Sequence, residues 1–383
     1  RYVMSVFYYS LDGPNWRQAT GWLDPEVEVC DWINIECDEG DHISSLESEN
    51  KGDNAPAMLM KGTIPSELNA LTDLKTLALS NHPIEGMAEP LENIRFLELD
   101  QIQRIPSEVF EMTNLVSLVL RDTKTDGGPF PTELGRLSNL ADLVLSANGL
   151  IGTIPTDFYR LSKLRFLDLN NNHLEGNVNE PLLNLPNLEY LETRDNKFTG
   201  PILPEIQNHE HLVSLDLHGN QVNGTVADSL FNISSLQVLD LSENQLSGSL
   251  PSSIGLATKV TYLDLSSNQI NGTIPTEIGL CTSLTTTMSM STNNIDGTLP
   301  TELGLLKNLE QVYLTGNLLR GTIPSELGGM DSLIRIYLEG NFFSGTVPSE
   351  LCSMTSLEYI GLGVGISCGE CVAFCSGGTD LGD

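Results

Sequence analysis

The amino-acid sequence predicts an α/β solenoid in which each coil lays one parallel strand on a concave face. Three observations predict it. Leu145, Leu169, Thr193, Leu217, Leu241 and Leu265 recur every 24 residues, and each is followed three positions later by asparagine: Asn148, Asn172, Asn196, Asn220, Asn244 and Asn268. The same coils carry the phrase L-x-x-L-x-L-x-x-N-x-L-x-G-x-I-P without insertion, and a fixed period of this length is the mark of a repeat architecture. No linker or low-complexity stretch divides the 383 residues, so one elongated domain is expected where length alone suggests two or three globular ones.

The coil that begins at Leu140 shows what each position does. Leu140, Leu143, Leu145, Leu150 and Ile154 are expected to point inward, because a single coil has no second layer and buries its apolar surface only against its neighbours. Asn148 is expected to be buried at the turn, its amide bonding the backbone of the next coil, so that the asparagine column forms a satisfied polar ladder. Gly152 suits a tight turn and Pro155 a strand edge without free donors. The inward column continues downstream through Met290, Leu314, Leu338 and Leu362, with one extra residue within 285–288. Upstream it runs through Leu120, Leu99, Leu79 and Leu46, at steps of 25, 21, 20 and 33. About fourteen strands result. The short steps lack part of the helical side, and the long one carries an insertion around residues 49–58.

The phrase at 271–280 and 319–327 resembles the plant-type leucine-rich repeats of receptor-kinase ectodomains and polygalacturonase-inhibiting proteins. The opening Tyr8-Tyr9-Ser10-Leu11-Asp12-Gly13-Pro14-Asn15-Trp16, then Gly21-Trp22-Leu23 and the segment from Cys30 through Trp32 and Cys37 to Asp38, resembles the amino-terminal cap of such proteins. Its wording is closest to secreted repeat proteins of algae and other stramenopiles. Cys352 and Cys368-Gly369-Glu370-Cys371-Val372-Ala373-Phe374-Cys375 resemble the closing cysteine cap. The resemblance covers nearly the whole chain and implies a leucine-rich repeat superhelix or horseshoe capped at both ends. The implied divisions are a cap over 1–42, repeats over 43–351 that are irregular to about 130 and regular afterwards, and a cysteine cap over 352–383. The family spans receptors, inhibitors and matrix proteins, so function must be argued from the site.

Seven cysteines, with only Cys281 lying between the two ends, argue for an oxidising compartment. Cys30 and Cys37 are expected to pair. Among Cys352, Cys368, Cys371 and Cys375 three connectivities stay open, and the Cys368-x-x-Cys371 spacing also suits zinc. Cys281 reads as a small buried hydrophobe. Asn223, Asn232 and Asn271 head glycosylation sequons, expected off the strands on the turn or convex side and consistent with secretion, although Asn-Gly-Thr also arises from the repeat's own wording. The three tryptophans, Trp16, Trp22 and Trp32, all fall in the opening segment and read as core of a cap shielding the first coil. No apolar run approaches the roughly 20 residues of a spanning helix, so a soluble segment is expected. Arg1 is not an initiator, which suggests maturation or trimming.

The concave face carries the chemistry. The outward residue between the inward pair is acidic in five successive coils: Asp168, Glu192, Asp216, Asp240 and Asp264. Strands stacked about 4.8 Å apart would place these carboxylates in line, repelling by about 3.5 kcal/mol per pair at an effective dielectric of 20 and about 0.9 in water. Proton uptake, pairing of Arg194 and His218 with Glu192 and Asp216, a bridging calcium ion or a basic partner would each offset that cost. Solvent and screening alone also suffice if Leu-Asp-Leu is simply the repeat's strand wording. Phe166, Tyr190, Tyr262, Tyr313, Tyr337 and Tyr359 occupy equivalent or adjacent outward positions, where they would anchor a peptide, protein or sugar ring, or merely stack across strands.

A formal net charge of −32 disfavours nucleic acid and anionic lipid and favours cations, basic partners or a saline medium. The sequence holds no phosphate loop, nucleophile elbow, dinucleotide fingerprint or H-E-x-x-H helix. His209 and His211 are expected to be solvated, since residues two apart on a turn share no face. No enzymatic activity and no cofactor are expected beyond the calcium idea. Three roles remain: an extracellular module recognising a protein, peptide or glycan on its acidic face; a structural component of a cell-surface or matrix assembly; and a secreted inhibitor of a wall-degrading glycosidase. For an assembly contact with copies or other surface proteins, the irregular coils at 50–60 and 87–104 are the candidates.

Overall fold

The structure, a computed structural model, describes residues 1–16, 22–49, 60–102, 104–123, 127–371 and 375–376. Gly21, most of the insertion at 49–58, Gln103 and 372–374 therefore lie outside the described residues. The chain forms two compact units, Arg1–Glu175 and Gly176–Asp383.

The first unit opens with the helix Tyr2–Ser10, whose Phe7 is buried among the tryptophans. Phe7 stacks on Trp22 at 6.1 Å, and Trp22 meets Trp16 at 5.1 Å and Trp32 at 5.2 Å. Each indole N–H donates to a backbone carbonyl, of Leu11, Ile33 and Val27 respectively for Trp16, Trp22 and Trp32. Buried rings with satisfied polar edges are core. A strand Ile35–Cys37 runs antiparallel to Ile43–Glu49. Parallel strands Thr76–Ser80, Phe96–Glu98, Ser117–Val119, Asp142–Val144 and Phe166–Asp168 follow.

Register corrects one expectation. Leu46 lies opposite Leu77, not in the Leu79 column, and the residue opposite Leu79 is Ser48. The repeat step there is consequently two shorter than the apolar pattern suggests, because the strand carries a polar residue in the inward column. Its partner explains this. His82, three positions after Leu79, occupies the asparagine place and is fully buried. Its Nδ1 accepts the Met60 N–H at 3.3 Å and its Nε2 bonds the Ser48 hydroxyl at 3.0 Å.

The second unit stacks parallel strands Tyr190–Glu192, Ser214–Asp216, Val238–Asp240, Tyr262–Asp264, Thr287–Ser289, Gln311–Tyr313, Arg335–Tyr337, Tyr359–Gly361 and Cys375–Ser376. Lys197–Pro201, Gln221–Thr225, Gln245–Ser249, Gln269–Thr273 and Asn294–Asp296 form a further parallel set. Gly248, at φ 74°, shows why each of these turns carries glycine: a Cβ there would lie 2.8 Å from Thr225 Cγ2. The inward leucines are buried throughout. The asparagine ladder forms, but it reaches back to the preceding coil, not forward. Asn244 Nδ2 donates to Leu217 O at 2.8 Å, and its Oδ1 accepts the Val222 N–H at 2.9 Å.

The helical side consists mainly of short 3-10 segments. Pro251, Pro275, Pro300 and Pro324 stand immediately before four of them with φ between −78° and −67°, so the proline ring fixes the extended entry to each helix rather than a strand edge.

Candidate functional site

In the second unit Glu192, Asp216, Asp240 and Asp264 lie in register as one column of the main sheet. In the first unit Asp168 stands opposite Val144. These carboxylates are not solvated side chains. Asp168 is 8% exposed and Asp240 4%, while Glu192, Asp216 and Asp264 are half-buried. A local reason accounts for the aspartates. Each turns one oxygen onto the backbone N–H two residues ahead, from Asn170 at 2.9 Å, His218 at 3.0 Å, Ser242 at 3.0 Å and Ser266 at 2.8 Å, as short carboxylates do where a strand ends in a turn. The carboxylate column is thus partly a capping device, with the second oxygens of Asp216 and Asp240 left to meet side chains of neighbouring coils.

The second oxygens of Asp216 and Asp240 enter a network that includes the expected contact of Arg194 with Asp216. Arg194 donates to Asp216 Oδ2 at 2.7 Å and lies 3.7 Å from Asp240 Oδ2. The guanidinium thus leans along the stack toward the following coils. His218 meets Asp216 through its backbone N–H only; its ring Nδ1 bonds Ser242 Oγ at 2.7 Å, and that hydroxyl donates to Asp240. Tyr262 Oη reaches Asp240 Oδ2 at 3.5 Å. Burial, and next the Asp240 charge, hold the Asp216 carboxyl above its ordinary range against the pull of the His218 N–H and Arg194. Burial and the same Asp240 charge raise the Tyr262 phenol. Among the described residues no group of three or more His, Cys, Asp or Glu is arranged to hold a metal ion.

The aromatic residues sort into two columns. Tyr190, Tyr262 and Tyr359 share the column of Ser214, Val238, Thr287, Gln311 and Arg335, and Phe166 stands opposite Asp142 in the first unit. Tyr313 and Tyr337 instead continue the carboxylate column beyond Ser289. Their rings stack at 4.7 Å, 7° from parallel, and Tyr337 meets Tyr359 at 4.9 Å. Glu339, which sequence reasoning did not single out, completes the cluster: Tyr359 Oη donates to its Oε1 at 3.1 Å and Thr315 Oγ1 to its Oε2 at 3.2 Å. Gly361 makes the room, since a Cβ there would fall 2.0 Å from Glu339 Oε1. The signal that could have found Glu339 is its place in the column of Arg194 and His218.

The main-sheet face of the first unit is more apolar. Ala78, Val119 and Val144 fill places that carry acids in the second unit. A cavity of about 120 Å³ lies over Ala78, Phe96 and Val119, edged by Glu47 and Glu98, and Phe96 is 44% exposed. Of the proposed assembly patches, 50–59 and 103 lie outside the described residues; in the rest Leu91, Ile94, Leu97, Leu99 and Ile102 are buried.

Cys30 joins Cys37, and Cys352 joins Cys371. The second bond removes Cys371 from any zinc pair with Cys368. Cys368 and Cys375 carry free thiols where a second closing disulfide was expected. Burial, and next the neighbouring Cys368 thiol, pushes the Cys375 thiol up to about 12. Cys281 is buried, its thiol pushed up to about 11 by burial. His209 is buried, not solvated, with its basicity lowered by burial; it falls in the inward column of Leu185 and Ile233, while His211 is exposed. Asn223 and Asn271 lie on strands and not off them as expected, because the residues before the Gly-Thr of each coil pair in the further set rather than the main sheet; Asn232 ends a helical segment, and all three are exposed. No helix among the described residues is long and apolar enough to cross a membrane.

Stacked strand-and-helix coils with a leucine core and an asparagine ladder define a leucine-rich repeat solenoid. Models of the leucine-rich repeat match residues 210–270 and, separately, 163–185, 308–330 and 332–354. Among solved structures the chain is similar to the PEPR1–AtPEP1 complex, with a TM-score of 0.73 and 27% identity over 94% of this chain and 55% of that one. It is similar to the leucine-rich repeat protein LIC12759 of Leptospira interrogans, at 0.61 and 29% over 81% and 86%. The Arabidopsis receptor kinase HAESA, in complex with the peptide hormone IDA and the co-receptor SERK1, shares the fold at 0.70 and 23% identity over 95% and 70%. The chain spans about half the length, 55%, of the PEPR1 chain it matches.

Proposed function

We propose that the protein is an extracellular recognition module, without catalytic activity, that binds a basic peptide or a basic protein segment on the outward face of its main sheet. One observation carries this reading: in the second unit the sheet presents the stacked Tyr313 and Tyr337, with Tyr359 tilted against them, beside the Glu339 carboxylate, in columns that also carry Asp216, Asp240, Asp264 and Tyr262. Aromatic anchors held on a stiff support lose little freedom on binding, and the adjacent carboxylates steer and orient positive charge. The similarity to PEPR1 seen with AtPEP1 is in keeping with a bound ligand. Two disulfides and three exposed sequons fit an extracellular setting. Glycans on Asn223, Asn232 and Asn271 would leave this face open.

The test is binding of fluorescent Lys- and Arg-rich peptides that also carry an aromatic residue, measured by anisotropy at low and high salt. Tyr337→Ala and Glu339→Gln are each expected to weaken the best binder by about tenfold, or about 1.4 kcal/mol. Equal affinity of both variants and the wild type places the ligand elsewhere.

A further inference from the structure

The helical side of the second unit has a feature the sheet face does not use. The last residues of successive helical segments form one column: Asn184, Asn208, Asn232, Leu256, Leu280, Leu305 and Gly329. The asparagines are exposed, as that position requires. The three leucines that replace them in consecutive coils are equally in solvent, at 59%, 56% and 53% exposure. Single exposed leucines are ordinary; a contiguous line of them with a charged border marks an interaction surface.

The ridge stands on a rigid floor. The glycine before each leucine is buried, and its neighbour coil is pressed against it: a Cβ on Gly279 would meet the Glu302 carbonyl oxygen at 2.6 Å, and one on Gly304 the Glu326 carbonyl oxygen at 2.1 Å. Beyond Leu305 the column loses its side chain at Gly329. A cavity of about 510 Å³ opens there, lined by Leu305, Gly328 and Gly329 and bordered by Glu302, Glu326 and Glu350. Neighbouring hydroxyls orient these acids, with Thr301, Ser325 and Ser349 donating to the carboxylate of the next residue at 3.2, 3.4 and 3.3 Å.

Charge decides what can cover this ridge. A second copy would bring its own acidic row against this one, in a chain of net charge −32, and like charges facing each other across an interface oppose docking. Geometry agrees with a helical occupant: coils follow one another at about 4.8 Å, close to the roughly 5.4 Å between turns of an α-helix laid along them. We propose that Leu256, Leu280 and Leu305, with the notch at Gly329, dock an amphipathic helix of a basic partner protein. The helix sets its apolar stripe on the ridge and its Lys or Arg side chains toward Glu302, Glu326 and Glu350.

The probe is a labelled synthetic helix with leucine on one face and lysine on the other, titrated with the whole chain, beside a control helix in which glutamate replaces lysine. The triple variant Leu256→Asn, Leu280→Asn, Leu305→Asn copies the residue this column already carries at 184, 208 and 232, and its melting temperature should match the wild type. It is expected to bind the lysine helix at least about tenfold more weakly. Glu302→Gln with Glu326→Gln should flatten the salt dependence of binding while Tyr337→Ala leaves it unchanged. Equal binding by the triple variant, equal binding of the glutamate helix, or sedimentation showing a dimer that the triple variant abolishes, would each overturn the assignment.

Discussion

His82 offers a sharp test of the core, because a titratable ring stands where the regular coils from Asn148 onward use asparagine. It is fully buried, with Nδ1 accepting from the Met60 backbone and Nε2 bonded to Ser48. Burial is the leading cause that lowers its pKa from 6.5 to about 4, against a smaller upward pull from Ser48. A group whose folded pKa is depressed stabilises the fold above its unfolded pKa, and that contribution is lost as pH falls toward the folded value. The window is therefore pH 6.5 down to about 4. Between pH 7.5 and 4.5 the two pKa values give a loss of about 2.5 kcal/mol from this one ring. Urea unfolding of the wild type and of His82→Asn at both pH values isolates the effect, since all other titrating groups are common to the two chains. The wild type should lose about 2.5 kcal/mol more than the variant across that interval. Parallel stability profiles would refute the claim that His82 is held neutral by burial.

Other outcomes follow from the same geometry. Arg194→Ala removes a charge-assisted bond to the half-buried Asp216 and leaves Asp240 beside it uncompensated; with the guanidinium partly in solvent the expected cost is about 1–2 kcal/mol by urea unfolding, and adding Asp240→Asn should recover part of it. Cys281, with its thiol raised to about 11 by burial, should resist iodoacetamide at pH 8 in the folded chain and react on unfolding, as read by mass spectrometry. Gly361→Ala pushes a Cβ into the place of Glu339 Oε1; it should weaken peptide binding about as much as Glu339→Gln does while shifting the melting temperature little, and an unchanged affinity would remove Glu339 from the site.

Much of the architecture is legible in the chain because it is periodic. The columns of Leu145 and Asn148 announce buried core and a polar ladder, and both are present since each coil can satisfy its apolar and amide groups only on its neighbours. The outward aspartates are legible as a column for the same reason. What they do is less so. Pattern alone treats an outward carboxylate as solvated, whereas Asp168, Asp216, Asp240 and Asp264 each spend an oxygen on the turn that follows.

By itself, then, the sequence determined the repeat, the inward and outward alternation and which residue types recur in each column, since all of these depend on spacing along the chain. Tertiary structure decided the rest. Strand pairing set Ser48 and not Leu46 opposite Leu79, because register across an insertion is chosen by the best joint burial of two strands and not by either one. The lean of long side chains along the stack sent Arg194 to Asp216. The stacking of helical segments exposed Leu256, Leu280 and Leu305 together, an arrangement that exists only once separate coils are brought side by side.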